Sequence, residues 1–198
     1  MRKPVLIVIA GPNGSGKTST TRLVIKHEWA EHCAYINPDE IAQTMFGDWN
    51  NANAVRQAVE YCEQWREQLL REHKDFIFET VLSSDEKVDF LKRAKEEGYF
   101  IRIFFICTET PAINASRIAK RVMEGGHDVP IAKIITRYQK AIKNAIRVTG
   151  LVDRAYFYDN SADNQDARIL FRTVNGKLAK QYVSILPQWT ETIINNIQ

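Results

Sequence analysis

Residues 11 to 18 read Gly-Pro-Asn-Gly-Ser-Gly-Lys-Thr, which satisfies the spacing G-x-x-x-x-G-K-[ST] at every defined position. The apolar run Val5 to Ala10 precedes it and a helical pattern opens at Lys17, so the loop stands between a strand and a helix, as a phosphate cradle requires. Gly11, Gly14 and Gly16 let the backbone turn its amide hydrogens inward, and the helix adds its positive N-terminus. Pro12, Asn13, Ser15 and Ser19 complete the expected nucleotide-binding stretch. Lys17 is expected on the β and γ phosphates of ATP or GTP, and Thr18 on Mg²⁺ through its hydroxyl. A dinucleotide fingerprint fits less well, because Lys17-Thr18 has no part in it. The chain has no Asn-Lys-x-Asp guanine signature and no apolar strand ending in Asp-Glu. With its short length, this favours a small kinase over a switch or a motor.

Two carboxylates follow later strand ends. Asp39 comes after Ala34 to Asn37, and Glu79 after Phe76-Ile77-Phe78. In a parallel sheet the carboxyl ends of the strands meet at one crevice, so both acids are placed to face a terminal phosphate. Phosphoryl transfer needs in-line positioning, neutralised charge and a group that orients or deprotonates the acceptor hydroxyl. Asp39 therefore has two readings, as the cap of the helix opening at Pro38 or as a general base. Glu79 fits a metal or water contact.

The elements that must position these groups alternate along the chain. Helices are expected over Lys17 to His32, 52 to 73, Asp85 to Glu97, Pro111 to Glu124 and from Pro130 onward, the last with Ile131, Ile134, Ile135, Tyr138, Ile142 and Ala145 on one face. A loop is expected around Trp49-Asn50-Asn51. Phe100 to Cys107 reads as a central strand and Ala155 to Tyr158 as a fifth. This alternation predicts a three-layer α/β fold of the P-loop NTPase or kinase type, with a mainly parallel sheet. Arg168 to Val174 and Leu178 to Ile185 flank Asn175-Gly176 and predict a C-terminal β-hairpin over about 168–186. Trp189 to Ile197 is expected to form a short helix. One domain spans 1–198, with a lid over about 117–140.

At 44% hydrophobic and 26% charged residues, the composition is that of a folded globular domain. No apolar run approaches a membrane span, and the apolar stretch near the start is too short for a signal peptide. Cys33, Cys62 and Cys107 are odd in number and widely spaced, which excludes a disulfide framework and fits a reducing cytoplasm. The net charge is only +3, yet Arg117 to Arg147 holds eight basic residues against Glu124 and Asp128. An anionic partner is expected there.

The segments AGPNGSGKT, INPDEIA, FETVLSS, RVMEGGHDVP and the Arg-Tyr of ITRY, in this order, resemble the zeta-toxin family of P-loop kinases, especially its short bacterial members. The resemblance covers roughly residues 5 to 140. It implies an ATP- or GTP-dependent kinase acting on a hydroxyl of a small molecule, a nucleotide sugar of which UDP-N-acetylglucosamine is the best-known example. It also implies a toxin held by an antitoxin protein. Lys17 and Thr18 match the family's phosphate and Mg²⁺ residues, and Asp39 its base. Glu79 and Thr80 match the segment where acceptor contacts gather. Arg121 and Arg137 match the lid arginines, while Gly125-Gly126-His127 forms the hinge and tip, with His127 an acceptor contact. Where short members often carry Arg-Arg before the lid aromatic, this chain has Thr136-Arg137-Tyr138. Asn160, after the last parallel strand, reads equally as a base contact or a polar turn. A membrane is excluded as a partner, and nucleic acid is not the expected one. The competing functions are a polynucleotide or RNA kinase, to which the basic segment points, and a nucleotide-dependent binding module without catalysis.

Overall fold

The computed structural model describes residues 2–47, 51–126 and 128–197. Seven strands form one sheet: β1 (Val5–Ala10), β2 (Ala34–Ile36), β3 (Phe76–Thr80), β4 (Phe100–Cys107), β5 (Arg154–Asp159), β6 (Arg168–Val174) and β7 (Lys177–Gln181). Their spatial order is β2-β3-β1-β4-β5-β6-β7. β2, β3, β1, β4 and β5 run parallel, and β6 and β7 are antiparallel additions. β1 lies between β3 and β4, so the chain winds one way to β2 and β3 and the other way to β4 and β5. The crevice of such a sheet opens at the carboxyl end of the strand where the winding reverses, and here that is the end of β1.

Among the described residues, seven α-helices connect and cover the sheet: α1 (Lys17–Ile25), α2 (Pro38–Phe46), α3 (Ala52–Arg71), α4 (Asp85–Glu96), α5 (Pro111–Met123), α6 (Ile131–Thr149) and α7 (Glu191–Ile194). The larger core lies on one face, where Ala58 and Cys62 of α3, Val88 and Leu91 of α4, and Ala141 and Ala145 of α6 pack on Phe78, Phe105 and Phe157. On the other face a smaller cluster joins Val24 of α1 and Ala30 to Ile7, Ile9, Phe104 and Tyr156. Leu6 to Ala10 are fully buried between these layers, which explains why β1 is a continuous apolar run and not an alternating one. A third, small cluster, Ile118, Val129 and Ile134, ties α5 to the start of α6 apart from the main core.

Four local expectations change. The helix expected to His32 ends at Ile25; His27 turns extended, its Nδ1 accepts from the Trp29 N–H at 3.3 Å, and Glu28–Ala30 forms one 3₁₀ turn. Trp29 is held there by Tyr156 and by the Arg102 guanidinium 4.2 Å from its ring centroid. Tertiary anchoring of the indole outweighs helix continuation. The hairpin's second strand is shorter than expected, stopping at Gln181, and the terminal helix is reduced to Glu191–Ile194 after a 3₁₀ turn at Gln188–Thr190. Helix α3 begins after Asn51, whose side chain accepts from the Asn53 and Ala54 N–H groups; the rest of the expected loop, Trp49-Asn50, lies outside the described residues. The fourth change is at the start of α2.

Phe157 and Phe171 stack with centroids 4.4 Å apart, joining the parallel sheet to the hairpin. Phe157→Ala is expected to lower unfolding free energy by ~3–5 kcal/mol, since both rings are buried and the site cannot collapse. A urea midpoint measured by fluorescence checks this.

Candidate active site

At the end of β1 the chain enters the loop through Gly11, whose φ of 151° and 2.0 Å approach of an imagined Cβ to the Ile106 carbonyl oxygen leave no room for a side chain. The loop is tied from behind by two asparagines. Asn114 of α5 donates through Nδ2 to the Asn13 carbonyl at 2.6 Å, and Asn160, just past β5, donates to the Ser15 carbonyl at 2.9 Å. In a trans peptide the N–H points opposite to its carbonyl, so holding these two oxygens outward turns the Gly14 and Gly16 amides into the concavity. Asn160 is therefore a buttress of the loop. Gly16 has φ 87°, and a Cβ there would lie 2.1 Å from Asn160 Nδ2. Gly16→Ala is expected to displace that buttress and weaken ATP binding at least ~10-fold, as one lost buried hydrogen bond plus backbone strain implies. Isothermal titration with an ATP analogue measures it.

Lys17 spans the loop, donating from Nζ to the Gly11 and Pro12 carbonyls at 2.9 Å each. Burial pulls its ammonium down to about 8, against the charges of Glu79 and Asp39, which favour protonation, while Arg121 opposes it. Asp39, Glu79 and Arg121 are thus near enough for their charges to act on this amine. Arg137 donates to Asn13 Oδ1 at 3.3 Å, so both expected lid arginines reach the loop's surroundings. Thr18 and Ser19 are exposed at the mouth. Among the described residues no three His, Cys, Asp or Glu side chains gather to cage a metal alone. Thr18 offers an exposed hydroxyl beside the loop, the kind of single protein ligand that a Mg²⁺ held mainly by phosphate oxygens and water would take.

The start of α2 answers the question about Asp39. The N-cap is Asn37, whose Oδ1 accepts from the Asp39 N–H at 3.0 Å; Pro38 fills the first helical position. Asp39 is not the cap. Its carboxylate is exposed and accepts no hydrogen bond from the described residues, which leaves it available to a ligand. Beside it, burial and the charges of Glu79 and Asp39 push the Glu40 carboxyl upward.

Glu79 Oε1 accepts from Thr21 Oγ1 and from the Tyr35 hydroxyl, both at 2.7 Å, and that hydroxyl accepts from Asn37 Nδ2 at 2.8 Å. Thr80 is buried; its hydroxyl accepts from the Leu82 N–H at 3.0 Å and its carbonyl from the Gly11 N–H at 3.2 Å, so it joins β3 to the loop. His127 lies outside the described residues. Sequence reasoning missed Thr21, Tyr35, Asn37 and Asn114. No motif marks them; only the asparagine before Pro38 carried a usable signal, as a capping residue type.

Part of the basic segment is engaged within the fold. Arg117 binds the Asn160 and Ala162 carbonyls and the Asp163 carboxylate, and Arg147 pairs with Asp85. Two concavities lie elsewhere, one between the end of α6 and the β6–β7 turn and one below β2. What marks the loop crevice is its chemistry.

A strand, a glycine-rich loop and a helix on a mostly parallel three-layer sheet make up the fold of the P-loop kinases. The zeta-toxin family model matches residues 1–173, and the chain belongs to that family. It is 34% identical over 141 residues to an uncharacterized protein of Haemophilus influenzae, covering 67% of this chain and 90% of that one. Its fold is similar to a structure from the PezAT toxin–antitoxin system of Streptococcus pneumoniae, with TM-score 0.63 and 18% identity over 84% of this chain and 71% of that one. It is also similar to the complex of AvrRxo1-ORF1 with AvrRxo1-ORF2, with TM-score 0.67 and 15% identity; the match covers 98% of this chain and 63% of that one. The chain thus spans less than two thirds of that neighbour. No described helix is long and apolar enough to cross a membrane.

Proposed function

We propose that the protein is an ATP- or GTP-dependent kinase that phosphorylates a hydroxyl of a small molecule, a nucleotide sugar such as UDP-N-acetylglucosamine, and that it acts as the toxin of a toxin–antitoxin pair. The observation that carries the reading is the exposed Asp39 carboxylate at the start of α2, freed from capping by Asn37 and near enough for its charge, with that of Glu79, to act on the Lys17 amine. A neighbouring AvrRxo1-ORF1:ORF2 structure was solved with ATP, which supports the nucleotide half of the reading.

In the proposed reaction the amides of the loop and Lys17 hold the β and γ phosphates. Mg²⁺, when bound at Thr18, neutralises phosphate charge. Asp39 accepts the proton of the acceptor hydroxyl as its oxygen forms a bond to the γ phosphorus; the bond from that phosphorus to the β–γ bridging oxygen breaks, and the nucleoside diphosphate departs with that electron pair. Arg121 and Arg137 fit the charge spread over the equatorial oxygens, a task suited to planar guanidinium forks. Glu79 orients the acceptor or its water, and Thr80 and His127 belong to the same acceptor side of the proposal.

The test is purified protein with ATP or GTP, Mg²⁺ and a panel of nucleotide sugars, read by mass spectrometry for an added phosphoryl group. Product from at least one sugar is expected. Tight nucleotide binding with no product across the panel would instead favour the binding-module alternative. Growth arrest on expression, absent in Lys17→Ala, tests the toxin role separately.

A further inference from the structure

Four side chains connect the nucleotide side of the crevice to the acceptor side. Thr21 stands one turn along α1 from Lys17, is buried, and gives its hydroxyl hydrogen to Glu79 Oε1. Tyr35, the middle residue of β2, gives its own to the same oxygen. Its lone pair then takes a hydrogen from Asn37 Nδ2, and the other end of that amide, Oδ1, holds the Asp39 N–H.

The Thr21 hydroxyl has a second acceptor, the Lys17 carbonyl at 3.1 Å, and Glu79 is the shorter of its two contacts. From Glu79 onward the directions are fixed: a carboxylate only accepts, so the Tyr35 hydroxyl must point at Glu79, and with its hydrogen committed Tyr35 can only accept from Asn37. That fixes the Asn37 amide with its nitrogen toward Tyr35 and its oxygen toward α2. Burial and the Glu79 charge push the Tyr35 phenol far above its ordinary range, so it stays a donor throughout physiological pH. Glu79 Oε2 receives no hydrogen bond from the described residues and remains for a ligand.

We propose that Tyr35 is a positioning residue that couples the two halves of the site: through Glu79 on one side and Asn37 on the other, it sets the N-terminus of α2, and with it Asp39, according to the state of the helix that follows the phosphate loop. The role given to Asp39 rests on the kinase reading; the linkage itself does not.

Two effects follow. Tyr35→Phe keeps the ring and removes both hydrogen bonds, and Asn37→Asp keeps an acceptor for the Asp39 N–H while removing the donor to Tyr35. With UDP-N-acetylglucosamine as the probe acceptor, each is expected to lower kcat while KM for ATP stays within about twofold. Because both variants break the same link, Tyr35→Phe/Asn37→Asp is expected to lose no more than the worse single variant. Additive losses would overturn the coupling.

A second measurement needs no turnover. Hydrogen exchange across residues 38–42 is followed with and without the non-hydrolysable analogue AMP-PNP and Mg²⁺. In the wild type the analogue is expected to slow exchange about two- to tenfold, the worth of one ordinary hydrogen bond. In Tyr35→Phe that ligand-dependent slowing is expected to vanish although AMP-PNP still binds. Equal slowing in both proteins would overturn the proposal while leaving the kinase reading intact. Should AMP-PNP fail to bind the wild type, the nucleotide reading falls; ligand-free exchange at 38–42 still decides the linkage, being faster in Tyr35→Phe if it exists and unchanged if it does not.

Discussion

Asp39→Asn is expected to lower phosphoryl transfer by ~10²–10⁴-fold, the usual worth of a positioned general base, while nucleotide affinity changes little. The substitution is nearly isosteric. Helix α2 survives it, because its first N–H groups are capped by Asn37 and its first position is held by Pro38. Loss of rate therefore reports the missing proton acceptor and not a frayed helix. The comparison is steady-state turnover of the best acceptor beside ATP affinity by titration and melting temperature by calorimetry. Unchanged turnover would remove Asp39 from the chemistry and return the site to nucleotide binding alone.

Replacing Lys17 by alanine is expected to weaken binding of the triphosphate and to reduce turnover at least ~100-fold, because a half-buried ammonium held against the loop carbonyls meets the transferred charge with reduced screening by water. The same residue gives binding a pH dependence. Its amine, held near 8 by burial, lies below the ordinary value of 10.5. Between those two values the unfolded chain holds a proton that the folded protein lacks, so this group's contribution to stability rises with pH through that window and is least below pH 8. A polyanion in the loop favours the charged amine. Nucleotide binding above pH 8 is then expected to take up a proton and to weaken as pH rises further. Titration calorimetry in buffers of different ionisation enthalpy measures that uptake, and Lys17→Ala is expected to abolish it.

How much of this was legible before the fold was known differs between residues. Gly11 to Thr18 could be read directly because the phosphate loop is local: eight consecutive residues carry both its turn and its lysine. The sheet was legible as well, since alternating apolar strands and amphipathic helices leave few packings open. Helix and strand ends were the weaker part. The helix after the loop stops at Ile25 because Trp29 finds Tyr156 and Arg102, partners far along the chain. The basic stretch from Arg117 to Arg147 read only as a positive field expecting an anionic partner. The fold uses three of its residues internally, Arg117 as a loop brace, Arg137 in a loop contact and Arg147 in an ion pair.

By itself, then, the amino-acid sequence determined the phosphate cradle, the parallel α/β architecture and the candidate acids at the strand ends, since each depends on neighbours within a few residues or on a repeating pattern. Only the tertiary structure decided that Asn37 caps α2 and Asp39 stays free, that Asn114 and Asn160 hold the cradle open, and that Tyr35 joins Glu79 to the start of α2. Those contacts bridge 44 residues between Tyr35 and Glu79 and 101 between Asn13 and Asn114. A hydrogen bond is specified by distance and direction in space, and composition or spacing along the chain carries neither.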